Sequence, residues 1–349
     1  MEFPTVPRLR GPDVLTFGET VVALSAAEPL RPGGPLVLSV TGPESSVALA
    51  LAGRGHRVRW AGAVGEDPAG RLVLDALAAR GVDVSGAQRD PGARTGLLLT
   101  GPDAGPLPGP AVSAAARIRS CEVQRVFAEA PPRLLYLTDA SAPSREARSA
   151  AQLALRMAAE HSALVCLDLR NVSATGTGPL PGSVDVWLPS ADLVILAEER
   201  PATTRTAPRT APAGAVPPRV RDLLGRGPGE VLVRWADGGA SAYRLGGEGE
   251  DEGRGEGLHA APAPAALPRT PAVPGLPVTA ADAFAAAYLS GLLSGADSRR
   301  RLDRAVAAAR AGTDPHTGPD APGSPERVES DGPRRYVPEG AFPGVGACA

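Results

Sequence analysis

No lysine occurs in this chain; all 36 basic residues are arginine. That excludes the phosphate-clasping lysine of a P-loop, the strand lysine of a protein kinase and any Schiff-base amine. Asparagine is reduced to Asn171, and aromatic residues make up only 3% of the chain. Exchange of Lys for Arg together with loss of Asn reads as a high-GC coding bias. His56, His161, His259 and His316 are scattered without metal-site spacing, so no metal site of the protein's own is expected. Cys121, Cys166 and Cys348 are odd in number and far apart, which implies no disulfide framework and a reducing, cytoplasmic setting. Cys166 lies in an apolar run and reads as a small buried hydrophobe. The formal charge of −2 offers no general attraction to nucleic acid or to an anionic membrane. No apolar stretch has the length of a membrane span, and Met1–Pro12 lacks the apolar core of a signal peptide.

What the chain does have is 43% apolar residues over 349 positions, enough to bury one large α/β core, with 42 Gly and 38 Pro between the elements. Short apolar runs predict strands at Val14–Phe17, Val58–Val64, Gly96–Thr100, Leu134–Leu137, Ala163–Asp168, Leu193–Leu196, Val231–Trp235 and Ser241–Arg244. Helices are predicted at Ser45–Arg54, Pro68–Arg80, Ser144–His161, Ala280–Leu293 and Ser298–Ala311. Asp67 is the N-cap of the second, with Pro68 at its first position and Gly81 as its stop. Strands that are apolar throughout and alternate with helices predict a mostly parallel sheet covered on both faces. The pieces in 19–40 and 95–115, broken by Pro and Gly, read as a small antiparallel β lid. The stretches 201–218 and 246–274 read as low-complexity loops and 312–349 as a Pro/Gly-rich tail, with 1–12 an extension before the main domain, 13–311.

The segment Gly62-Ala63-Val64-Gly65-Glu66-Asp67-Pro68-Ala69-Gly70, followed by Gly81-Val82-Asp83, resembles the ribokinase-like (PfkB) carbohydrate kinase family. Asp13–Glu19 is similar to that family's first strand, particularly in its 2-keto-3-deoxygluconate kinase branch. Leu167–Arg170 and Val231–Gly239 fall in the family's order. The resemblance implies a ribokinase-like three-layer sandwich, transfer of the γ-phosphoryl of ATP with Mg²⁺, a small-molecule sugar or sugar-acid acceptor, and a homodimer through the lid.

It also implies a site. The stretch Leu276-Pro277-Val278-Thr279-Ala280-Ala281-Asp282-Ala283-Phe284 matches the family's D-T-T-G-A-G-D-A-F turn, which makes Asp282 the general base and the backbone of Thr279, Ala280 and Ala281 the phosphate cradle. An ordinary first-turn Asp favoured by the helix dipole is the competing reading of Asp282. Gly239, Asp168 and Glu199 fall on the nucleotide side. Gly42 and Ser46 fall on the acceptor side, with Ser46 at the place of the family's Asn. Thr279 and Ala281 replace both glycines, Leu276 replaces an acid, Arg170 replaces an Asn, and Ala23 stands where many members carry an acid. Arg94 and Arg117 read as surface arginines. Two classes therefore remain open: an active sugar or sugar-acid kinase, and a ribokinase-fold homologue that binds without efficient transfer. A nicotinamide-binding fold is excluded by the lone Gly18 after the first strand.

Overall fold

The computed structural model describes residues 11–102, 104–108, 113–174, 176, 179–198, 216–235, 238–244, 256–260 and 278–311. Eight strands form the central sheet in the order β14(Glu256–Ala260), β13(Ala240–Arg244), β12(Glu230–Arg234), β11(Leu193–Ala197), β10(Leu164–Ser173), β9(Leu134–Thr138), β1(Val14–Phe17) and β4(Val58–Ala61). The six from β4 to β12 are parallel; β13 and β14 return antiparallel at one edge. The parallel strands are apolar and buried on both faces, as their composition predicts. Alternate side chains then divide two cores. Val14, Tyr136, Cys166, Ile195 and Leu232 face α1(Pro43–Ala52), α2(Pro68–Ala78), α7(Ala280–Leu293) and α8(Ser298–Ala311). Leu15, Leu137, Leu167, Leu196 and Val233 face α3(Ser120–Glu129), α4(Arg145–Glu160), α5(Gly182–Trp187) and α6(Pro218–Leu224). The result is the expected three-layer sandwich.

Helix α7 is apolar almost all round, which suits a helix laid against the sheet on one side and α1 and α8 on the others. Burial of Phe284, Tyr288 and Leu289 contributes roughly 1.5–3 kcal/mol for each large side chain. At the far end of the sheet Tyr288 donates to Glu230 Oε2 at 2.7 Å, and Arg244 donates to Glu230 Oε1 at 2.9 Å. That network ties α7 to β12 and β13, away from the carboxyl ends of the parallel strands.

Over the carboxyl edge lies a lid of β3(Val37–Thr41), β2(Val21–Ser25), β7(Leu97–Gly101) and β8(Ala104–Pro108), in that order. It is mixed rather than antiparallel, because β2 and β7 run parallel while the outer pairs are antiparallel. The chain reaches β7 by crossing from the main sheet through α2, so β7 enters in the same direction as β2. The predicted strand over 58–64 is two strands, β4 and β5(Ala63–Gly65), and β5 pairs with β6(Gln88–Asp90). Strand β14 lies inside the stretch read as low-complexity loop, a correction explained by the free edge that β13 offers it. The loop 201–215 and the tail 312–349 lie outside the described residues. Cys166 is buried and free. No helix among the described residues is long and apolar enough to cross a membrane.

Candidate functional site

The motif that carried the family resemblance turns out to build structure. Asp67 caps α2 by accepting from Gly70 N at 2.7 Å, and its other oxygen accepts from Thr95 N at 2.9 Å. A Cβ on Gly70 would lie 2.2 Å from the Gly65 carbonyl oxygen, so that position tolerates glycine alone. The pattern thus locks β5, α2 and the entry to β7 together. It sets the lid in place without offering a reactive group.

The chemistry gathers at the carboxyl ends of β9 and β10. Asp168 and Arg170 are two apart on β10 and share one face of the sheet. Across the ladder, Asp168 pairs with Thr138, and Tyr136 lies diagonally two pairs away on the same face. Tyr136 donates its phenol proton to Asp168 Oδ2 at 2.7 Å, and Arg170 Nε donates to the same oxygen at 3.1 Å. Arg170 Nη2 adds a hydrogen bond to Tyr136 Oη at 3.1 Å. Strand β10 departs from register with β11 after Leu169, and there Asp139 accepts from Arg170 N at 3.2 Å and Asn171 N at 2.9 Å. That irregularity lets the Arg170 side chain lean towards α7, where Nη2 meets Asp282 Oδ1 at 2.7 Å.

Asp282 is the third residue of α7, and it closes a capping box with Thr279. Its Oδ2 accepts from Thr279 N at 2.8 Å and Thr279 Oγ1 at 2.7 Å, while Asp282 N donates to Thr279 Oγ1 at 3.2 Å. The replacement of glycine by Thr279 therefore has a structural consequence. The helix start supplies its own oxygen, a cap worth about 1 kcal/mol. Of the backbone donors in the turn, those of Thr279 and Asp282 are taken by the box, which leaves Ala280 and Ala281. Asp282 Oδ1 is buried, and its contact with Arg170 lacks hydrogen-bond alignment.

Electrostatics follow from the burial. Burial alone works against the Arg170 charge, but Tyr136, Asp168 and Asp282 outweigh it and keep the guanidinium protonated well above its ordinary range. Burial first, then the charge of Asp168, holds the Tyr136 phenol neutral well above its usual value. Cys166 is likewise kept as a thiol by burial and by Asp168, which agrees with its reading as an inert small hydrophobe.

A third carboxyl joins from α1. Glu44 is buried against the α-carbon of Gly18, where a Cβ would come within 2.3 Å of Glu44 Cδ. Glu44 Oε1 accepts from Thr138 Oγ1 at 2.6 Å and Ser141 Oγ at 2.7 Å, whereas Oε2 is buried with no hydrogen-bond partner. Burial raises this carboxyl to about 6 despite those two hydroxyls and the positive charge of Arg170. Sequence reasoning missed Glu44, Tyr136 and the part played by Arg170. An acid in a helix's first turn and a tyrosine in an apolar strand carry no distinguishing signal, but the i, i+2 spacing of Asp168 and Arg170 did.

The remaining sequence-derived positions divide. Gly42 packs on the Glu19 carbonyl, which a Cβ would approach to 2.4 Å, and the buried Ser46 donates its N–H to Gly42 O at 2.8 Å. Gly42 is the N-cap of α1 and Ser46 lies in its first turn, on either side of Glu44 in the chain. Gly239 sits in the turn joining β12 to β13, its carbonyl accepting from Trp235 N at 2.9 Å. Arg234, at the end of β12, reaches to 3.8 Å from Asp168 Oδ1. Asp168 itself is buried beneath the two arginines rather than open to solvent. Arg117 is half exposed and pairs with Asp90 at 3.4 Å, as expected of a surface arginine. Glu199, Leu276 and Pro277 lie outside the described residues. Among the described residues no group of three or more His, Cys, Asp or Glu side chains could hold a metal ion.

Comparison with known proteins places this arrangement. The model of the pfkB family of carbohydrate kinases matches residues 12–314. The 2-dehydro-3-deoxygluconokinase of Bacillus subtilis (strain 168) is 39% identical over 90 residues, 25% of this chain and 28% of that protein. The chain thus aligns with only about a quarter of the length of the curated relatives it matches. The crystal structure of a PfkB protein from Polaromonas sp. JS666 is 25% identical, with a TM-score of 0.64 over 86% of this chain and 95% of that one. Fructokinase with bound ATP from Xylella fastidiosa shares the fold at 18% identity, with a TM-score of 0.64 over 86% and 93%.

Proposed function

This chain belongs to the pfkB family of carbohydrate kinases, and from that premise we propose that it transfers the γ-phosphoryl group of ATP to a hydroxyl of a sugar or sugar acid, with Asp282 as general base. One observation carries the reading. Asp282 Oδ1 is a carboxylate oxygen without a hydrogen bond, held at the first turn of α7 beside the carboxyl ends of the parallel strands. Ligands of open α/β sheets bind at that edge. Phosphoryl transfer requires little covalent help from a protein; it needs position and charge compensation. Ala280 and Ala281 N–H, aided by the α7 dipole, would face the phosphoryl oxygens, and Oδ1 would accept the proton of the acceptor hydroxyl.

The acceptor would lie under the lid near Gly42 and Ser46, and the nucleotide would extend towards the Gly239 turn, with Asp168 on that side. A Mg²⁺ ion needs no dedicated protein cage, because it can arrive on the phosphates with one or two carboxylates and water completing its shell. The name of the Bacillus relative favours a sugar acid as acceptor. Leu38 and Val37 are exposed at 55% and 51% on the lid, which favours pairing of two copies there.

The test is an ADP-release assay across ketoses, aldoses and 2-keto-3-deoxy sugar acids, run beside Asp282→Asn. Turnover with one class that is lost in the variant supports the assignment. A second reading, a homologue that binds these ligands without efficient transfer, is favoured by the capping box, which occupies Asp282 Oδ2 and two of the turn's N–H donors. Stabilisation by Mg²⁺-ATP or by a sugar with no turnover would favour that alternative. Neither turnover nor stabilisation would overturn both.

A further inference from the structure

Arg170 is held on one side only. Nε and Nη2 carry every contact of its guanidinium, to Asp168, Tyr136 and Asp282. Nη1, with two N–H donors, has no partner among the described residues, and the side chain is 18% exposed. A guanidinium fixed by two carboxylates and a phenol is an oriented cation, and Nη2, which shares its carbon with the free Nη1, lies 2.7 Å from the oxygen proposed to take the acceptor's proton. The Asp282 contact adds a second point. It is an ion pair without hydrogen-bond alignment, so no donor claims the lone pairs of the buried Oδ1 while the charge of Arg170 stays within 2.7 Å. Meanwhile the turn itself has given Thr279 N and Asp282 N to its capping box.

We propose that Arg170 binds the transferred phosphoryl group through Nη1, supplying the charge stabilisation that the capped turn no longer offers. The proposal rests on the kinase reading above. In the step, the acceptor O–H proton passes to Asp282 Oδ1 and the acceptor oxygen forms the new O–P bond. The bond from Pγ to the bridging oxygen breaks, and ADP leaves with its electron pair. Charge grows on the three equatorial phosphoryl oxygens, where Nη1 donates together with Ala280 and Ala281 N–H. Protonation of Asp282 removes one anionic partner of Arg170 at the moment the phosphoryl group presents another, so the cation is never left without an anion. Asp168 and Tyr136 then act as positioning residues that keep the fork aimed.

The variants are Arg170→Met, which removes the cation at similar length, and Arg170→Lys, which keeps a charge but loses the fork. A resident arginine on the transferred group is worth about 10³–10⁵ in kcat, so Arg170→Met is expected to lose at least about 10³-fold, with the KM for ATP changing only a few-fold. A readout that needs no turnover accompanies it: thermal stabilisation by ADP·Mg²⁺ with and without aluminium fluoride, which mimics the planar phosphoryl group. Aluminium fluoride should add stabilisation in the native protein and none in Arg170→Met, while ADP·Mg²⁺ alone stabilises both equally. If Arg170→Met does not fold, Arg170→Lys carries the same comparison, with a smaller loss in kcat and a weakened response to aluminium fluoride. A retained or raised kcat in either variant, or an unchanged aluminium fluoride response, overturns the proposal. Turnover abolished by Asp282→Asn but kept in Arg170→Met removes Arg170 and leaves the kinase reading standing. A native protein without turnover removes the kinase reading, and the aluminium fluoride comparison still decides whether Arg170 holds a phosphoryl group.

Discussion

Replacement of Glu44 by Gln tests whether the fold carries a costly carboxyl at its site. Burial raises Glu44 from 4.5 to about 6, a difference of 1.5 units. At 1.36 kcal/mol per unit, ionised Glu44 costs the folded state about 2 kcal/mol. The folded value lies above the unfolded one, so this group's contribution to stability is fully present below 4.5 and is lost as pH rises through about 6. Gln keeps an oxygen for Thr138 and Ser141 but does not titrate. Whatever constant cost its amide carries at the position of the unpartnered Oε2, the stability difference between variant and native protein should shift by about 1.5 kcal/mol in favour of Gln between pH 4.5 and 8. Urea unfolding of both proteins at several pH values measures it. Parallel stability curves across that range would refute the reasoning. A carboxyl that destabilises its own fold at neutral pH, buried within reach of the Arg170 charge, is the kind of group that function retains.

Other outcomes follow from the same contacts. Thr279→Gly opens the capping box and frees Asp282 Oδ2; it should cost a few tenths of a kcal/mol in stability and raise the rate of ADP release at least tenfold, and an unchanged rate would place the limit outside this turn. Glu230→Gln leaves the Arg244 and Arg301 charges without their carboxylate in a buried network, so chemical denaturation should show a loss of about 3–5 kcal/mol with no specific effect on turnover. Gly70→Ala forces a Cβ against the Gly65 carbonyl oxygen, and a stability loss of about 1–3 kcal/mol is expected while the KM for ATP is unchanged in the protein that remains folded.

Much of the framework was legible because its signals are local. Strand Val14–Phe17 and helices Ala280–Leu293 and Ser298–Ala311 have the bounds their apolar pattern predicts, and Asp67 caps α2 as its place before Pro68 implies. The lid was seen as β structure, but the parallel β2–β7 pair was not, since strand direction depends on how the chain crosses between two sheets. Around α7, the order of its neighbours singled out Asp282 as a candidate, whereas Glu44 was passed over. Nothing in Gly42-Pro43-Glu44-Ser45 tells that the carboxyl turns inward onto Gly18 instead of outward to water.

The sequence by itself determined the class of fold, the place of the α7 turn within it, and the loss of glycine at Thr279 and Ala281. Periodicity, caps and residue order are properties of neighbours along the chain, and they need no knowledge of what lies across the sheet. Only the tertiary structure decided what those losses mean. It brought Tyr136, Asp168 and Arg170 from two strands against Asp282 on a helix more than a hundred residues away, and it added Glu44 from a fourth element. Charge, burial and hydrogen-bond alignment are set by distances through space, so the character of this site was fixed when the sheet closed against α1 and α7.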